Sequence, residues 1–287
     1  MGNVNSHCTA FVMAGGGSLG AVEVGMLREL LAWGEVPSFV VGASAGAING
    51  AFFAADPTLA CVARLGAIWA GLKRRDLFPL NLRSILGLLT RRAHLVDSSG
   101  LRRLLEQHLP YRHLQDAAIP IHVVASDMVT GEEVLLSSCA VVDAVLASAA
   151  IPGIFPPINI DGRLLVDGGV ANNTPISAAM RLGATRIIVL PTGFACALKH
   201  VPTGAIGRAM HALNLLVARQ LVHDAERFAG DVELRIVPSP CPLERSSYDY
   251  SGAANLIERG ALTTRRWLEQ GGLDRPGVPM QLHPHSH

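Results

Sequence analysis

The sequence has few charges and no long uninterrupted apolar run. Only 16% of its 287 residues are Asp, Glu, Lys or Arg, and the formal net charge at pH 7 is +1. A balance so close to zero argues against a general binder of nucleic acid or other polyanions. No apolar run could cross a bilayer without a charge or a proline, and no basic-then-apolar leader precedes the first predicted strand. We expect a soluble, cytoplasmic protein, with peripheral membrane contact left open.

Cysteine pairs and metal-binding motifs are also missing. The five cysteines are scattered, odd in number and without a C-x-x-C pair, which predicts reduced thiols in a reducing compartment. His283, His285 and His287 alternate near the C-terminus, but no H-E-x-x-H motif or clustered ligand set accompanies them. We therefore expect no metal ion and no other cofactor.

One serine stands in a distinctive turn. Residues 40–50 read VVGASAGAING, which predicts the end of an apolar strand, a tight turn and a helix of small residues. The five residues around Ser44 have the Gly-x-Ser-x-Gly spacing of a nucleophile elbow, in which Gly42 and Gly46 let the strand pack closely on the helix. Ser44 then lies at a helix N-terminus, where free N–H groups and the helix dipole favour negative charge. A plain glycine-serine turn that caps an ordinary helix is the alternative.

A glycine loop precedes this serine. Thr9–Ala14 is predicted as the first strand, and the loop GGGSLG of residues 15–20 leads from it into an amphipathic helix. No acidic residue ends the second predicted strand, Ser38–Val41, as a dinucleotide site requires, and the loop lacks the lysine of a Walker motif. We favour a loop whose backbone N–H groups bind an oxyanion, with a nucleotide loop and a structural turn as alternatives. A right-handed crossover would bring this loop and Ser44 to one edge of a parallel sheet.

Candidate bases for Ser44 occur later in the chain. His200, His211 and His223 lie in a loop or on a predicted long helix, in no special local context. Asp167 follows an apolar strand and precedes two glycines, so we favour a dyad in which Asp167 takes the proton of Ser44 directly. A carboxylate with its usual pKa of about 3.9 is a weak base, so the site has to be apolar enough to raise that pKa. An ordinary Asp-Gly turn is the alternative.

Positive charge is concentrated in residues 64–112. This segment carries ten basic residues against three acidic ones, a net charge of +7. Inside it, Leu77–Leu89 is apolar and broken by proline, and Arg91 and Arg92 follow directly. Apolar residues flanked by basic ones are typical of an interfacial segment at an anionic membrane, so we hypothesise that this is a lid. A packed cap with a solvated basic face is the alternative.

The remaining pattern alternates strands with helices, which indicates an α/β fold. Further strands are predicted at residues 121–126, 133–136, 163–166, 186–190 and 233–237. A long helix is predicted over 203–228, with Leu213 and Leu221 at core spacing, and a last helix over 252–270. We expect one domain over residues 9–275, a tail over 1–8, a cap insertion over about 64–112 and a disordered tail over 276–287.

Four blocks occur in the order seen in one known family. They are GGGSLG at 15–20, GASAG at 42–46, SAAIPGIFPP at 148–157 and DGG at 167–169. On these blocks the chain resembles the patatin-like phospholipases over about residues 9–195. The resemblance implies a three-layer α/β/α sandwich around a mostly parallel sheet, and an acyl hydrolase that acts on lipid or phospholipid esters without a metal ion.

The resemblance also assigns residues. Ser44 and Asp167 match the catalytic dyad. The first loop matches the oxyanion hole, for which we predict Gly15, Gly16, Gly17, Ser18 and Ala45. The supporting motif positions are Gly20, Gly42, Gly46, Gly168 and Gly169. Leu19 departs from the pattern, because many members carry Arg or Lys there. A carboxylesterase or neutral-lipid hydrolase, a malonyl-type acyltransferase and a non-catalytic lipid-binding regulatory protein therefore stay open.

Overall fold

The computed structural model describes residues 8–77, 96–193, 205–243 and 249–275. The strands are β1 Thr9–Met13, β2 Phe39–Ala43, β3 Ile121–Asp127, β4 Glu133–Leu136, β5 Ile158–Ile160, β6 Arg163–Asp167, β7 Arg186–Leu190 and β8 Glu233–Ile236. The helices are α1 Gly20–Ala32, α2 Ala45–Ala55, α3 Leu59–Gly71, α4 Arg74–Leu77, α5 Ser99–His108, α6 Val141–Ser148, α7 Gly169–Asn172, α8 Ile176–Arg181, α9 Ala205–Phe228 and α10 Ala253–Glu269. Short 3₁₀ turns cover Gly17–Leu19, Leu114–Asp116 and Tyr250–Gly252.

The strands form one eight-stranded mixed sheet in the order β5-β6-β3-β2-β1-β7-β8, with β4 also paired to β3. The pairs β3-β2, β2-β1, β1-β7 and β7-β8 are parallel. The pairs of β4, β5 and β6 are antiparallel. The mostly parallel α/β sheet is therefore confirmed. Strand β5 was not predicted, because three residues after a proline pair are too few to show a period of two.

Two apolar cores cover the two faces of the sheet. In β1, Phe11 and Met13 contribute to the larger core, while Ala10 and Val12 contribute to the smaller one. This alternation follows from the period of two in a strand. Helices α1 to α6 and α10 supply the larger core, and α8 and α9 supply the smaller one. The prediction for α9 is wrong at Leu213, which is exposed. Among the described side chains of α9, those that contribute to this core begin at Leu221.

The described part of the cap is packed. In α3 and α5, Leu65, Trp69, Leu101 and Leu105 are buried in the larger core. Basic side chains of the same helices lie in solvent, so these residues fit the packed-cap alternative. Most of the hypothesised lid, including Arg91 and Arg92, lies outside the described residues, as do the predicted tails before residue 8 and after residue 275. Within the described ranges, no helix is long and apolar enough to span a bilayer.

Two glycines allow β2 to turn sharply into α2. A Cβ atom on Gly46 would lie 2.2 Å from the carbonyl oxygen of Met13 in β1. A Cβ atom on Gly42 would lie 2.4 Å from the carbonyl oxygen of Gly46. Both contacts are with backbone, which cannot rotate away as a side chain can. The close approach of α2 to the sheet therefore excludes any side chain at either position.

We predict opposite effects for two Gly→Ala substitutions in helices. Gly46→Ala should lower the free energy of unfolding by about 1–3 kcal/mol, because the new methyl group overpacks a backbone contact. Gly66→Ala, in α3, should raise it by up to about 1 kcal/mol, because alanine is the better helix former and its Cβ would meet only ordinary contacts beyond 3.6 Å. Urea unfolding of both variants measures the two values. Equal stability of Gly46→Ala and wild type would contradict the close packing described for this turn.

Candidate active site

The sheet register brings Ser44 and Asp167 together. Val123 and Val124 of β3 pair with β2 and with β4, so these two strands lie on opposite edges of β3. Ala125 pairs with β4 and with β6, so β6 lies on the same edge as β2. The two strands run in opposite directions and meet end to end. The last residue of β6 is Asp167, and the residue that follows β2 is Ser44.

Ser44 has a strained backbone and a defined hydrogen-bond partner. Its φ of 51° and ψ of −116° lie in a region that residues with a side chain rarely adopt. This conformation belongs to the sharp turn between β2 and α2. The side chain is 92% buried, and Oγ donates a hydrogen bond of 2.8 Å to Oδ2 of Asp167. The local strain is thus found at the residue for which a nucleophilic role was predicted.

Asp167 is a buried carboxyl group. Only 7% of the residue is exposed, and its other oxygen, Oδ1, accepts a hydrogen bond of 2.8 Å from the N–H of Gly169. Burial raises the pKa of Asp167 to about 6, although the hydrogen bonds from Ser44 and Gly169 act in the opposite direction. A carboxylate with this pKa is a stronger base than a solvent-exposed one. Asp167 therefore meets the requirement that a direct proton acceptor has to fulfil.

Ser148 holds the backbone of Ser44, and this contact was not predicted from the sequence. Its Oγ accepts a hydrogen bond of 2.8 Å from the backbone N–H of Ser44 and donates one of 2.5 Å to the carbonyl oxygen of Val124. Its own carbonyl oxygen accepts from the N–H of Gly168. Ser148 thus connects β3 with Ser44 and with Gly168, the residue that follows Asp167. The sequence signal was its position at the head of the block SAAIPGIFPP, which entered the sequence analysis only as one of the four family blocks.

The glycine loop lies directly beside Ser44. A Cβ atom on Gly15 would lie 3.1 Å from Cβ of Ser44, which confirms that loop and serine are neighbours. The N–H of Gly15 donates to the carbonyl oxygen of Asn173, and its carbonyl oxygen accepts from Asn173 Nδ2 and Thr192 Oγ1. Gly15 is therefore held by the segments that follow α7 and β7, and its amide is already occupied.

Three other amides around Ser44 differ from that of Gly15. The N–H groups of Gly16, Gly17 and Ala45 donate to no acceptor within the described part of the chain. Ala45 is the first residue of α2, so its amide also belongs to the positive end of the helix dipole. Gly17 has a φ of 57°, which favours glycine at this turn. Ser18 is buried next to them.

An apolar cavity of about 630 Å³ adjoins Ser44. Its wall includes Gly17, Ser44 and Ala45 at one end, and side chains of α2, of the cap and of the segment that follows α6 elsewhere. The described lining residues carry no charge, and Trp69 stacks on Tyr250 there with 6.3 Å between ring centroids. Hydrocarbon is the ligand chemistry that such a lining favours.

Neither a histidine nor a metal-binding cluster is found beside Ser44 among the described residues. His223 is exposed on α9, with Nδ1 3.6 Å from the carboxylate of Asp224. His200 and the side chain of His211 lie outside the described residues. In the ranges that the structure covers, no three His, Cys, Asp or Glu side chains are grouped closely enough to hold a metal ion. The group bonded to Ser44 Oγ is therefore the carboxylate of Asp167.

We predict that Asp167 makes stability depend on pH. Between pH 3.9 and about 6 the folded protein retains a proton that the unfolded chain has released, so the free energy of unfolding decreases as pH rises through this window. Asp167→Asn removes this titration. From pH 4 to pH 7.5, wild type should lose about 2 kcal/mol relative to Asp167→Asn in urea unfolding. A difference between the two proteins that does not change with pH would contradict the raised pKa.

Comparison with known proteins places these features in a family. The model of the family described as patatin-like phospholipase matches residues 11–180. Patatin-like phospholipase domain-containing protein 7 of Rattus norvegicus is 28% identical over 192 residues, which cover 66% of this chain and 14% of that protein. An uncharacterized NTE family protein of Mycobacterium tuberculosis is 35% identical over 165 residues, which cover 57% of this chain and 27% of that protein.

Solved structures agree at the level of the fold. Human GIVD cytosolic phospholipase A2, in complex with methyl gamma-linolenyl fluorophosphonate, superposes with a TM-score of 0.50 at 13% sequence identity. The match covers 93% of this chain and 59% of that one. The chain spans between 14% and 27% of the length of the two curated relatives above. Since the family model matches more than half of its residues, the chain belongs to the patatin-like phospholipase family.

Proposed function

We propose that the chain is a serine acyl hydrolase that cleaves fatty-acyl ester bonds of lipids or phospholipids through a Ser44/Asp167 dyad. The observation that carries this proposal is the 2.8 Å hydrogen bond between a strained, buried serine hydroxyl and a buried carboxylate. Family membership and the adjoining apolar cavity support it. Hydrolysis of a lipid ester needs a nucleophile, a base, a site for the oxyanion and space for the acyl chain.

The proposed reaction has two halves. Ser44 Oγ attacks the ester carbonyl carbon while Asp167 takes the hydroxyl proton, and the tetrahedral intermediate collapses as Asp167 returns that proton to the leaving alcohol. Water then attacks the acyl-enzyme, with Asp167 again as base. The fatty acid leaves, and the proton returns to Ser44. One carboxyl group acts as base and acid in turn, for which a pKa of about 6 is suitable near neutral pH.

For the oxyanion we propose the amides of Gly16, Gly17 and Ala45. Their N–H groups have no described acceptor and lie on two sides of Ser44, in the glycine loop and at the start of α2. Ser18 continues the same turn. Gly15, although predicted as a donor, acts as a support in this proposal because its N–H is bound to Asn173. Donors of this kind are typically worth about 3–4 kcal/mol each in the transition state.

For the substrate we propose an ester with an apolar acyl chain that occupies the cavity. The uncharged lining favours hydrocarbon and offers no partner to a phosphate. Leu19, at the position where many members carry a cation, packs against the apolar core. These two observations favour a carboxylesterase or neutral-lipid hydrolase as the second candidate. A phospholipid and a triacylglycerol of identical acyl chains, assayed in matched micelles, separate the two candidates.

We expect Ser44→Ala and Asp167→Asn each to lower the release of fatty acid from phospholipid or neutral lipid by about 10³-fold or more. The double variant should be little worse than either single one, because residues that act as one unit are not additive. Titration of the released acid from purified protein measures all three values.

His223→Ala is a suitable control, because this side chain is exposed and paired with Asp224. Its turnover should equal that of wild type. Near-normal turnover of Asp167→Asn would rule out the dyad. Binding of lipid without hydrolysis, equal in wild type and Ser44→Ala, would point to a non-catalytic, lipid-binding protein instead.

We also propose peripheral contact with anionic membranes through the cap. Lys73, Arg74, Arg75 and Arg103 are exposed on α4, on α5 and just before α4. Each basic residue near an anionic bilayer contributes about 1 kcal/mol, screened over about 8 Å at physiological salt. Together they provide enough attraction for transient binding.

Replacement of Lys73, Arg74 and Arg75 by Gln should weaken co-sedimentation with phosphatidylglycerol vesicles by at least about tenfold. The matched control replaces Arg219, Arg266 and Arg275, which are exposed elsewhere, so that net charge changes equally. We expect the control to bind nearly as wild type and all binding to weaken with salt. Equal losses in the two triple variants would assign the effect to net charge and not to the cap.

A further inference from the structure

Two cavities meet beneath the cap. The first is the apolar cavity that adjoins Ser44, and the second is a wider groove of about 1510 Å³ among α3, α4 and α5. The groove opens between exposed polar side chains such as Arg75, Arg103 and Gln107. Four apolar side chains line both spaces, and we call them the cap wall: Ile68, Leu72, Leu77 and Leu104. The two spaces are therefore separated by a single layer of side chains.

Helix contacts hold the cap wall in place. Ile68 lies in the last turn of α3 and Leu72 is the residue that directly follows this helix, and both side chains line the two spaces. On α5, Leu104 follows Gly100 by one turn. A Cβ atom on Gly100 would lie 2.0 Å from the carbonyl oxygen of Asp76, so α5 packs directly on the backbone of α4, next to Leu77. The wall is thus a close contact between helices.

The members of the cap wall differ in burial. Leu72 and Leu77 are buried, whereas Ile68 and Leu104 are only partly buried. Partly buried side chains make fewer contacts and can change rotamer at lower cost. On the cavity side the wall faces uncharged residues, which suit a hydrocarbon chain. An acyl chain that is too long for this cavity contacts the cap wall, and it enters the groove only if the side chain of Ile68 or Leu104 moves aside.

We propose that the cap wall limits the acyl-chain length of the substrate. Chains that end inside the cavity bind without rearrangement, and longer chains bind only by displacing Leu104 or Ile68. This inference rests on the proposed function, since it assigns the cavity to the acyl chain. It adds a specificity determinant, because the wall selects for length while the dyad acts on any ester.

A chain-length series tests the cap wall. For wild type, kcat/KM on p-nitrophenyl esters from butanoate to hexadecanoate should rise and then fall. Leu104→Ala should move the fall to longer chains and raise the ratio of hexadecanoate to butanoate turnover by about tenfold or more. Leu109→Ala is the matched control, because Leu109 is also partly buried at the end of α5 but lines neither space. A wild-type profile without a fall, or the same shift in both variants, overturns the proposal.

A binding series separates this proposal from the proposed function. Fatty acids of the same lengths are titrated into Ser44→Ala protein, with and without Leu104→Ala, and the dissociation constant is read from tryptophan fluorescence. A shift to longer chains supports the cap wall even where no ester is hydrolysed, in which case only the proposed function fails. Ser44-dependent hydrolysis with no shift in either series overturns the cap wall and leaves the proposed function in place.

Discussion

The hydrogen bond between Ser44 and Asp167 depends on how two strands share one edge of β3. Strand β2 arrives parallel to β3 and leaves it at Ala43, and β6 occupies the next part of the same edge in the opposite direction. The end of β2 and the end of β6 are therefore close neighbours on this edge. A Cβ atom on Gly168 would lie 2.1 Å from the carbonyl oxygen of Val124. Because the chain turns sharply at the ends of β2 and β6, the hydroxyl of Ser44 and the carboxylate of Asp167 lie at hydrogen-bond distance.

The same arrangement accounts for the chemistry of the carboxyl group. Asp167 lies at the point where two strands and α6 converge, so its burial follows from the backbone geometry. The N–H of Gly169 and the hydroxyl of Ser44 provide two hydrogen bonds, which do not fully compensate for the loss of water. Ser126 adds support by donating from Oγ to the carbonyl oxygen of Asp167. The resulting pKa increase makes the group a better base and reduces stability at neutral pH.

The sequence predicted the parts of this site that depend on local geometry. Ser44, its two glycines and the glycine loop were recognisable because a sharp turn excludes side chains and leaves a characteristic spacing. Asp167 was recognised as the end of a strand. The antiparallel direction of β6 was not predicted, since strand direction depends on pairing partners far apart in the chain. Ser148 and Asn173 were missed for the same reason, because their hydrogen bonds cross 104 and 158 residues.

A buried polar group links the cap to the glycine loop. In α2, Nδ2 of Asn49 donates to the carbonyl oxygen of Gly20 and to Oε2 of Glu23, while its Oδ1 accepts from Nε1 of Trp69 in α3. Burial raises the pKa of Glu23 well above its usual value, although the hydrogen bond from Asn49 acts in the opposite direction. Burial of a polar group costs free energy unless the group has a hydrogen-bond partner. The hydrogen bonds among Asn49, Glu23 and Trp69 therefore favour one arrangement of these side chains. Because Trp69 also lines the cavity at Ser44, a shift of α3 that carries Trp69 away from the cavity breaks its hydrogen bond to Asn49 of α2, the helix that follows Ser44.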